Sequence, residues 1–234
     1  MKTKINRINK LLTLVIILLF TIVQISCKKD STSTPVNPVT FSLIDYDGNV
    51  YDSIRIGTQV WMKQNLKVTH FHNGEAIPRK LSSNFYDAYS SAYCDYQDDT
   101  AISRTYGKLY NYYAVADSRE ICPPGWHVPT DAEWQTLITY LQGATIAGGK
   151  LKETGIMHWS TPNANATNET GFTALPAGVR DTGSDHNWGT WACFWVKSNS
   201  LLLTYSYKMY YTSGNIDNVP IDRSTGISVR CIKN

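Results

Sequence analysis

The stretch Ile121–Trp134, Ile-Cys-Pro-Pro-Gly-Trp-His-Val-Pro-Thr-Asp-Ala-Glu-Trp, constrains the fold more than any other, because a cysteine, a rigid turn and a strong helix start follow one another without a gap. Thr130 and Glu133 form a Thr-x-x-Glu capping box, whose hydroxyl and carboxylate each satisfy a backbone N–H that the first helical turn leaves unpaired. Pro129 stands at N′, placed to pack on Trp134 at N4. Trp134, Leu137, Ile138 and Leu141 then recur at i, i+3, i+4 and i+7, and Gly143 follows where a left-handed cap is favoured. The pattern predicts an amphipathic helix over Asp131–Gln142 that lays one stripe on a core directly after a cysteine-bearing turn.

Lys2, Lys4, Arg7 and Lys10 precede an uncharged apolar run from Leu11 to Val23, too short to span a bilayer comfortably as a mature helix. Basic residues ahead of a short apolar run are the build of a secretory signal, here residues 1–26. Its end, Gln24-Ile25-Ser26-Cys27, resembles a bacterial lipobox, with Gln24 where a leucine is usual; the resemblance implies cleavage before Cys27 and lipid attachment on it. Four of the 22 basic residues and no acidic ones leave with the signal, so the remaining basic residues fall one short of the 19 acidic ones. A nearly neutral surface lacks the clustered Lys and Arg that displace counterions, which excludes nucleic acid as a default partner. Membrane contact is expected instead through acyl chains on Cys27, each buried methylene contributing about 0.8 kcal/mol. Residues 27–40 hold two prolines and almost nothing to bury, and read as a lipidated cysteine on a flexible tether. Lys28-Lys29-Asp30 resembles the signals that send lipoproteins of some Gram-negative bacteria to the surface. The expected address is the cell envelope, at the outer membrane or cell surface, with residues 41–234 forming one folded domain.

Beyond Cys27 the cysteines are Cys94, Cys122, Cys193 and Cys231, an even number that in an exported chain favours disulfides over metal ligation. With no Cys-x-x-Cys pair, a structural zinc site is not expected. From Phe41 to Met62 a period-two pattern is broken at Asp47-Gly48 and Gly57-Thr58, which predicts two successive β-hairpins. His70 and His72 share a strand face but have no third ligand partner in sequence, so they read as solvent-facing. Leu81–Thr105 has no clean period and reads as a polar surface loop; Asp95, Asp98 and Asp99 lack the alternate-residue ligand pattern of a calcium loop. Leu109, Tyr112, Tyr113 and Ala116 form a second helical stripe, a first helix ahead of the organising stretch. Gly148-Gly149 and Gly155 punctuate a short segment, and Asn163–Thr170, with two glycosylation-like sequons, reads as a polar loop. Gly171–Arg180 reads as a strand broken by Pro176, hence an edge or a bulge. At the end, Ile227, Val229 and Cys231 share one face of a terminal strand.

Asp181–Trp195 has the most unusual composition, with Trp188, Trp191, Phe194 and Trp195 set among Gly, Asp, His and Asn. Trp191 and Trp195 have apolar neighbours and read as core, whereas Trp188 and, from the following tyrosine-rich strands, Tyr211 are the candidates for a stacking platform. Rigid aromatics lose little entropy on binding, and Asp185 and Asn187 supply nearby polar groups for a glycan or protein ligand.

Four motifs occur in order: Tyr106-Gly107-Lys108-Leu109-Tyr110-Asn111-Tyr112-Tyr113-Ala114, Cys122 through Trp134, Gly171-Phe172 through Ala177-Gly178, and Ser228-Val229-Arg230-Cys231. Together they resemble the Fibrobacter succinogenes major paralogous domain, from about Ile44 to the end of the chain. That family looks related to formylglycine-generating enzymes, which are sulfatase-modifying factors, and to C-type lectins. The resemblance implies a single α+β domain with two short helices, twisted antiparallel strands, long loops and close termini. It also implies a disulfide between Cys122 and Cys231, which closes a long loop, and leaves Cys94 and Cys193 as a second pair.

Three functions compete: a non-catalytic binding or adhesion module, an oxidoreductase like the formylglycine-generating enzymes, and a purely structural surface protein. The oxidoreductase requires a reactive cysteine pair, but Cys193 and Cys231 lie far apart in sequence and Cys231 is implied to pair with Cys122. No Gly-x-Ser-x-Gly turn, Glu-Pro-Asn or Trp-Asn-Asp triplet is present, so neither a serine nucleophile nor calcium-dependent sugar binding is expected. The sequence therefore points to a binding module that is not an enzyme and needs no cofactor or metal.

Overall fold

A computed structural model describes residues 43–86, 89–182, 184–198 and 203–234; the signal segment, Cys27 and the tether lie outside the described residues. Among them, the strands are β1 (Leu43–Ile44), β2 (Val50–Tyr51), β3 (Ser53–Ile56), β4 (Gln59–Met62), β5 (Tyr93–Cys94), β6 (Leu109–Tyr110), β7 (Trp126–His127), β8 (Val179–Asp181), β9 (Ser184–His186), β10 (Trp191–Trp195), β11 (Thr204–Tyr210), β12 (Ile216–Ile221) and β13 (Ile232–Lys233). The helices are α1 (Ser82–Phe85), α2 (Thr100–Tyr106), α3 (Tyr112–Ala116), α4 (Asp131–Tyr140) and α5 (Ala144–Leu151). The strands form several small antiparallel sheets, the two largest in the orders β3-β4-β13-β7 and β10-β11-β12. None of these helices is long and apolar enough to cross a membrane.

The organising stretch folds as its sequence dictates. Glu133 Oε2 accepts from the Thr130 backbone N–H at 2.8 Å while Thr130 Oγ1 accepts from the Glu133 N–H at 3.4 Å, closing the capping box. Trp134, Leu137 and Ile138 of α4 are buried. Trp134 stacks on Tyr207 at 4.9 Å and 28°, and Trp61 lies 4.9 Å away on its own strand β4. Phe172 and Phe194 complete this second, largely aromatic part of the core. The hairpins β1-β2 and β3-β4 form across the two predicted turns.

Among the described residues five helices stand where two were expected. Leu81–Thr105 is not a surface loop: it contains α1, β5 and most of α2, and Phe85, Cys94 and Tyr96 from it are buried. Its period is hidden because each element is at most seven residues long, less than the window in which a helical stripe repeats. Helix α5 was missed for a different reason. Gly148 and Gly149 look like punctuation, yet they sit inside the helix, where a Cβ would lie 2.1 Å from Asn215 O and 2.3 Å from Asn165 O. They let two loops touch the helix backbone, and that close approach outweighs their poor helix propensity. Leu109 belongs to β6 rather than to the first helix, which begins after Asn111, whose side chain accepts from the Ala114 N–H. Within Gly171–Arg180 only the end, from Val179, is a strand.

The last strand closes the domain. Ile232 pairs with Trp61 of β4 and with His127 of β7, so the C-terminus lies between the N-terminal hairpin and the organising stretch. Cys122 and Cys231 form a disulfide across a sequence separation of 109. Cys94 and Cys193 do not pair: both are free and buried, Cys94 on β5 in one hydrophobic cluster and Cys193 on β10 in another. Burial pushes both thiols above their ordinary range, Cys193 to about 12. Reducing the disulfide, or replacing both Cys122 and Cys231 with Ser, is expected to lower unfolding free energy by about 4–5 kcal/mol on the chain-entropy model, measured by urea denaturation. Thiol titration of the denatured, unreduced domain should find Cys94 and Cys193 alone.

Candidate functional site

The acidic residues that the sequence offered as loop carboxylates converge on buried cations. Arg180, fully buried, donates through Nε and Nη2 to the two oxygens of Asp185 at 2.7 and 2.6 Å, and through Nη1 to Asp98 at 2.6 Å. Its Nη2 also reaches the carbonyl of Asp95 at 2.9 Å. The Asp95 carboxylate, equally buried, accepts from Arg79, Ser103 and Lys108 at 2.6–2.9 Å. Burial disfavours ionisation of Asp95, but the bonds from Ser103, Lys108 and Arg79 outweigh it and hold the carboxyl below its usual 3.8. Asp98 is lowered in the same way, with Arg180 and Ser82 outweighing burial. A bidentate guanidinium–carboxylate pair with every partner satisfied makes a rigid strut, here joining the 95–98 turn to the β8-β9 hairpin.

The four residues expected as a platform are each engaged within the fold. Asp185 is committed to Arg180 and to the Gln97 N–H at 2.7 Å. Trp188 is half-buried, its ring 4.0 Å from Tyr106 and 4.6 Å from Tyr96, within the third core cluster. Asn187 takes a left-handed φ of 62° and its carbonyl accepts from Thr190 and Trp191, closing the turn into β10. Tyr211 packs against the aromatic core around Trp134 and donates its backbone N–H to Thr190. His70 faces Asp47, and no group of three or more metal-ligating side chains occurs among the described residues.

A cleft of about 390 Å³ lies elsewhere, over one face of the β10-β11-β12 sheet. Its floor follows from strand alternation. Cys193 stands opposite Lys208, Trp191 opposite Tyr210 and Ser206 opposite Val219, so these side chains share one face. The intervening Ala192, Phe194, Tyr207 and Met209 point the other way, into the core under α4. Val179 and Asp181 of β8, Tyr86 and the segment around Asp222 and Thr225 border the floor.

Two polar groups on this floor lack a hydrogen-bond partner among the described residues. Ser206 is 1% exposed, and its hydroxyl makes no hydrogen bond among the described residues. The Lys208 ammonium lies 2.8 Å from the Trp191 ring centroid and 5.1 Å from that of Tyr210. Burial lowers its proton affinity, partly countered by Cys193 and Asp217. The Cys193 thiol, raised to about 12 by burial, stays protonated at neutral pH, and no histidine is among the described residues that line the cleft. The arrangement can bind through a cation, a hydroxyl and an indole; it lacks an assembled nucleophile and base among the described residues. Sequence reasoning had placed Trp191 in the core and overlooked Ser206 and Lys208. The available signal was the alternation of Ser206, Lys208 and Tyr210 with Tyr207 and Met209 along β11.

Fold and cleft together define a disulfide-tied mixed α+β domain built around two antiparallel sheets. The family model for the Fibrobacter succinogenes major domain matches residues 54–233, from β3 to the last strand and across the whole sheet that floors the cleft. The chain belongs to that family. No curated protein and no solved structure matches it.

Replacing Arg180 with Met leaves Asp98 and Asp185 without their cation and should cost about 3–5 kcal/mol in urea unfolding, as expected for breaking a buried ion pair. Because Asp95 and Asp98 titrate below 3.8 in the folded state, their contribution is complete above that value and is lost as pH falls through the lower folded values. The wild-type unfolding midpoint should therefore drop with acidification below about pH 4, and the drop should be shallower in the Arg180→Met variant.

Proposed function

We propose that this chain is a lipid-anchored protein of the cell envelope that acts as a non-catalytic binding module, holding a glycan or protein ligand in the cleft over β10-β11-β12. The observation that carries the reading is the hydroxyl of Ser206, a buried polar group with no partner among the described residues, at the floor of an open cleft. A group buried in that way costs about 1–3 kcal/mol unless something bonds to it, and a ligand hydroxyl or amide supplies that bond once the Ser206 side chain turns from its buried rotamer towards the cleft. The cleft volume also falls within the range of small-ligand sites.

The address rests on the basic and apolar N-terminus and on Gln24-Ile25-Ser26-Cys27, with Cys27 as the lipid attachment point and the segment after it as a tether. The C-type-lectin-like assignment draws support from a terminal strand that pairs between the first hairpins and the turn before α4, tied by Cys122–Cys231. Binding is favoured over the oxidoreductase alternative because that chemistry needs two cooperating thiols. Cys94 and Cys193 sit in separate clusters with their thiols held protonated. Trp188 and Tyr211 enter this reading as supports: one braces the β9-β10 turn against Tyr106, the other bonds to Thr190 within it.

The test is a glycan-array screen of the folded domain followed by calorimetry on variants. Val219→Trp fills the cleft from a half-buried position on its floor and should abolish binding with an unchanged melting temperature. Ser206→Ala should weaken binding by the worth of one hydrogen bond, about 0.5–1.5 kcal/mol. A Val219→Trp variant that binds as well as wild type would sink the cleft as the site. For the address, Cys27→Ser should shift the protein from the membrane to the soluble fraction.

A further inference from the structure

The charges around the cleft do not balance among themselves. Two carboxylates line it, and each has a partner of its own. Asp181 faces His186 Nε2 at 3.0 Å, and Asp222 accepts from the Ser224 N–H at 2.7 Å. Lys208 has none. Its ammonium makes no ion pair or hydrogen bond among the described residues and rests against the faces of Trp191 and Tyr210. A half-buried cation that has given up part of its hydration, with aromatic faces and no bonded carboxylate in return, is the place in this cleft where an added negative charge gains most.

We propose that the cleft is specific for a sugar carrying one carboxylate, a uronic acid, whose carboxylate pairs with Lys208 and whose ring hydroxyl bonds to Ser206. The proposal rests on the binding reading given above and narrows it to a ligand class. Lys208 and Ser206 are two residues apart on one strand and face the same way, so their Cα atoms are separated by about 7 Å. That is a span one pyranose ring covers from its C5 carboxylate to a hydroxyl on the far side. The bordering residues fit the rest of such a ring: Thr225 offers a hydroxyl, and Asp181 and Asp222 offer acceptors for sugar O–H donors. The same carboxylates repel a run of negative charges, so a lone uronate among neutral sugars is preferred over a polyuronide or an acidic peptide.

Saturation-transfer NMR and calorimetry on the folded domain with four probes test this: methyl glucuronide, its methyl ester, methyl glucoside and polygalacturonate. The free acid should bind at least about tenfold tighter than the ester or the glucoside, the worth of one charge-assisted hydrogen bond. Lys208→Met should erase that preference while retaining the folded circular-dichroism spectrum. The ester neutralises the charge on the ligand instead of the protein, so the comparison stands even if Lys208→Met fails to fold. Equal binding of acid, ester and glucoside, all blocked by Val219→Trp, would overturn the uronate specificity and leave the binding module intact. Tighter binding of polygalacturonate than of the monomer on a per-residue basis would equally overturn the single-charge preference. No binding of any probe, together with an empty glycan array, would remove both.

Discussion

The structure depends on the placement of β13. β13 pairs with β4 on one side and β7 on the other, so the domain's last residues complete a sheet whose other strands come from residues 53–62 and 126–127. Without that strand, the hairpin and the segment that launches α4 lose their common neighbour. The residues just before it are all buried: Ile227, Val229 and Cys231 have no exposed surface, and the Leu66 and Met62 N–H groups donate to Val229 and Cys231. The disulfide fixes this non-local closure covalently. It removes from the unfolded chain the entropy of a loop more than a hundred residues long, a constraint that grows with the logarithm of loop length.

Three buried cations show how this domain keeps charge inside. Arg180 is neutralised by two carboxylates and acts as a strut between two surface segments. Arg230 has no carboxylate partner among the described residues: it bonds to Asn65 and to the carbonyls of Met62 and Phe172, and stacks over the rings of Phe172 and Phe194 at 4.3 and 5.3 Å. Lys152 places its ammonium among the carbonyls of Ala164, Tyr210 and Ser213 at 2.8–2.9 Å. Burial lowers the proton affinity of both, Arg230 to about 9 and Lys152 to about 8. Fixed carbonyl dipoles and aromatic faces replace water in these two cases, which suits a protein whose long loops must be pinned by their backbones. Lys208 differs from all three, because its ammonium faces a cleft rather than a closed shell of acceptors.

The β10-β11-β12 sheet divides structure from binding by alternation alone. One face carries Phe194, Tyr207 and Met209 under Trp134 and is close-packed. The other carries Trp191, Cys193, Ser206 and Lys208 and is left half open beneath β8. A single strand thus anchors α4 and presents the polar floor, so the site inherits the rigidity of the core behind it. The Arg180 strut holds β8 and β9 above that floor and supplies the second support.

What the sequence determined by itself is local: the capping box and stripe of α4, the two N-terminal hairpins with their turn residues, the one-sided burial of Ile227, Val229 and Cys231, and, through its ordered motifs, the family. These features are written in short patterns, within reach of a residue's own neighbours along the chain. What only the tertiary structure decided is which distant groups meet. Asp95, Asp98 and Asp185 look like solvated loop carboxylates until Arg180 arrives between them, 82 residues from Asp98 in sequence. Gly148 and Gly149 look like breaks until loops from residues 165 and 215 touch the helix they lie in. Cys94 and Cys193 look like a pair by parity, but their strands enter different clusters. Trp191 reads as core by its neighbours, and its half-open setting beside Lys208 depends on the register of β10 with β11. In each case the missing information is a long-range pairing, and no local period encodes it.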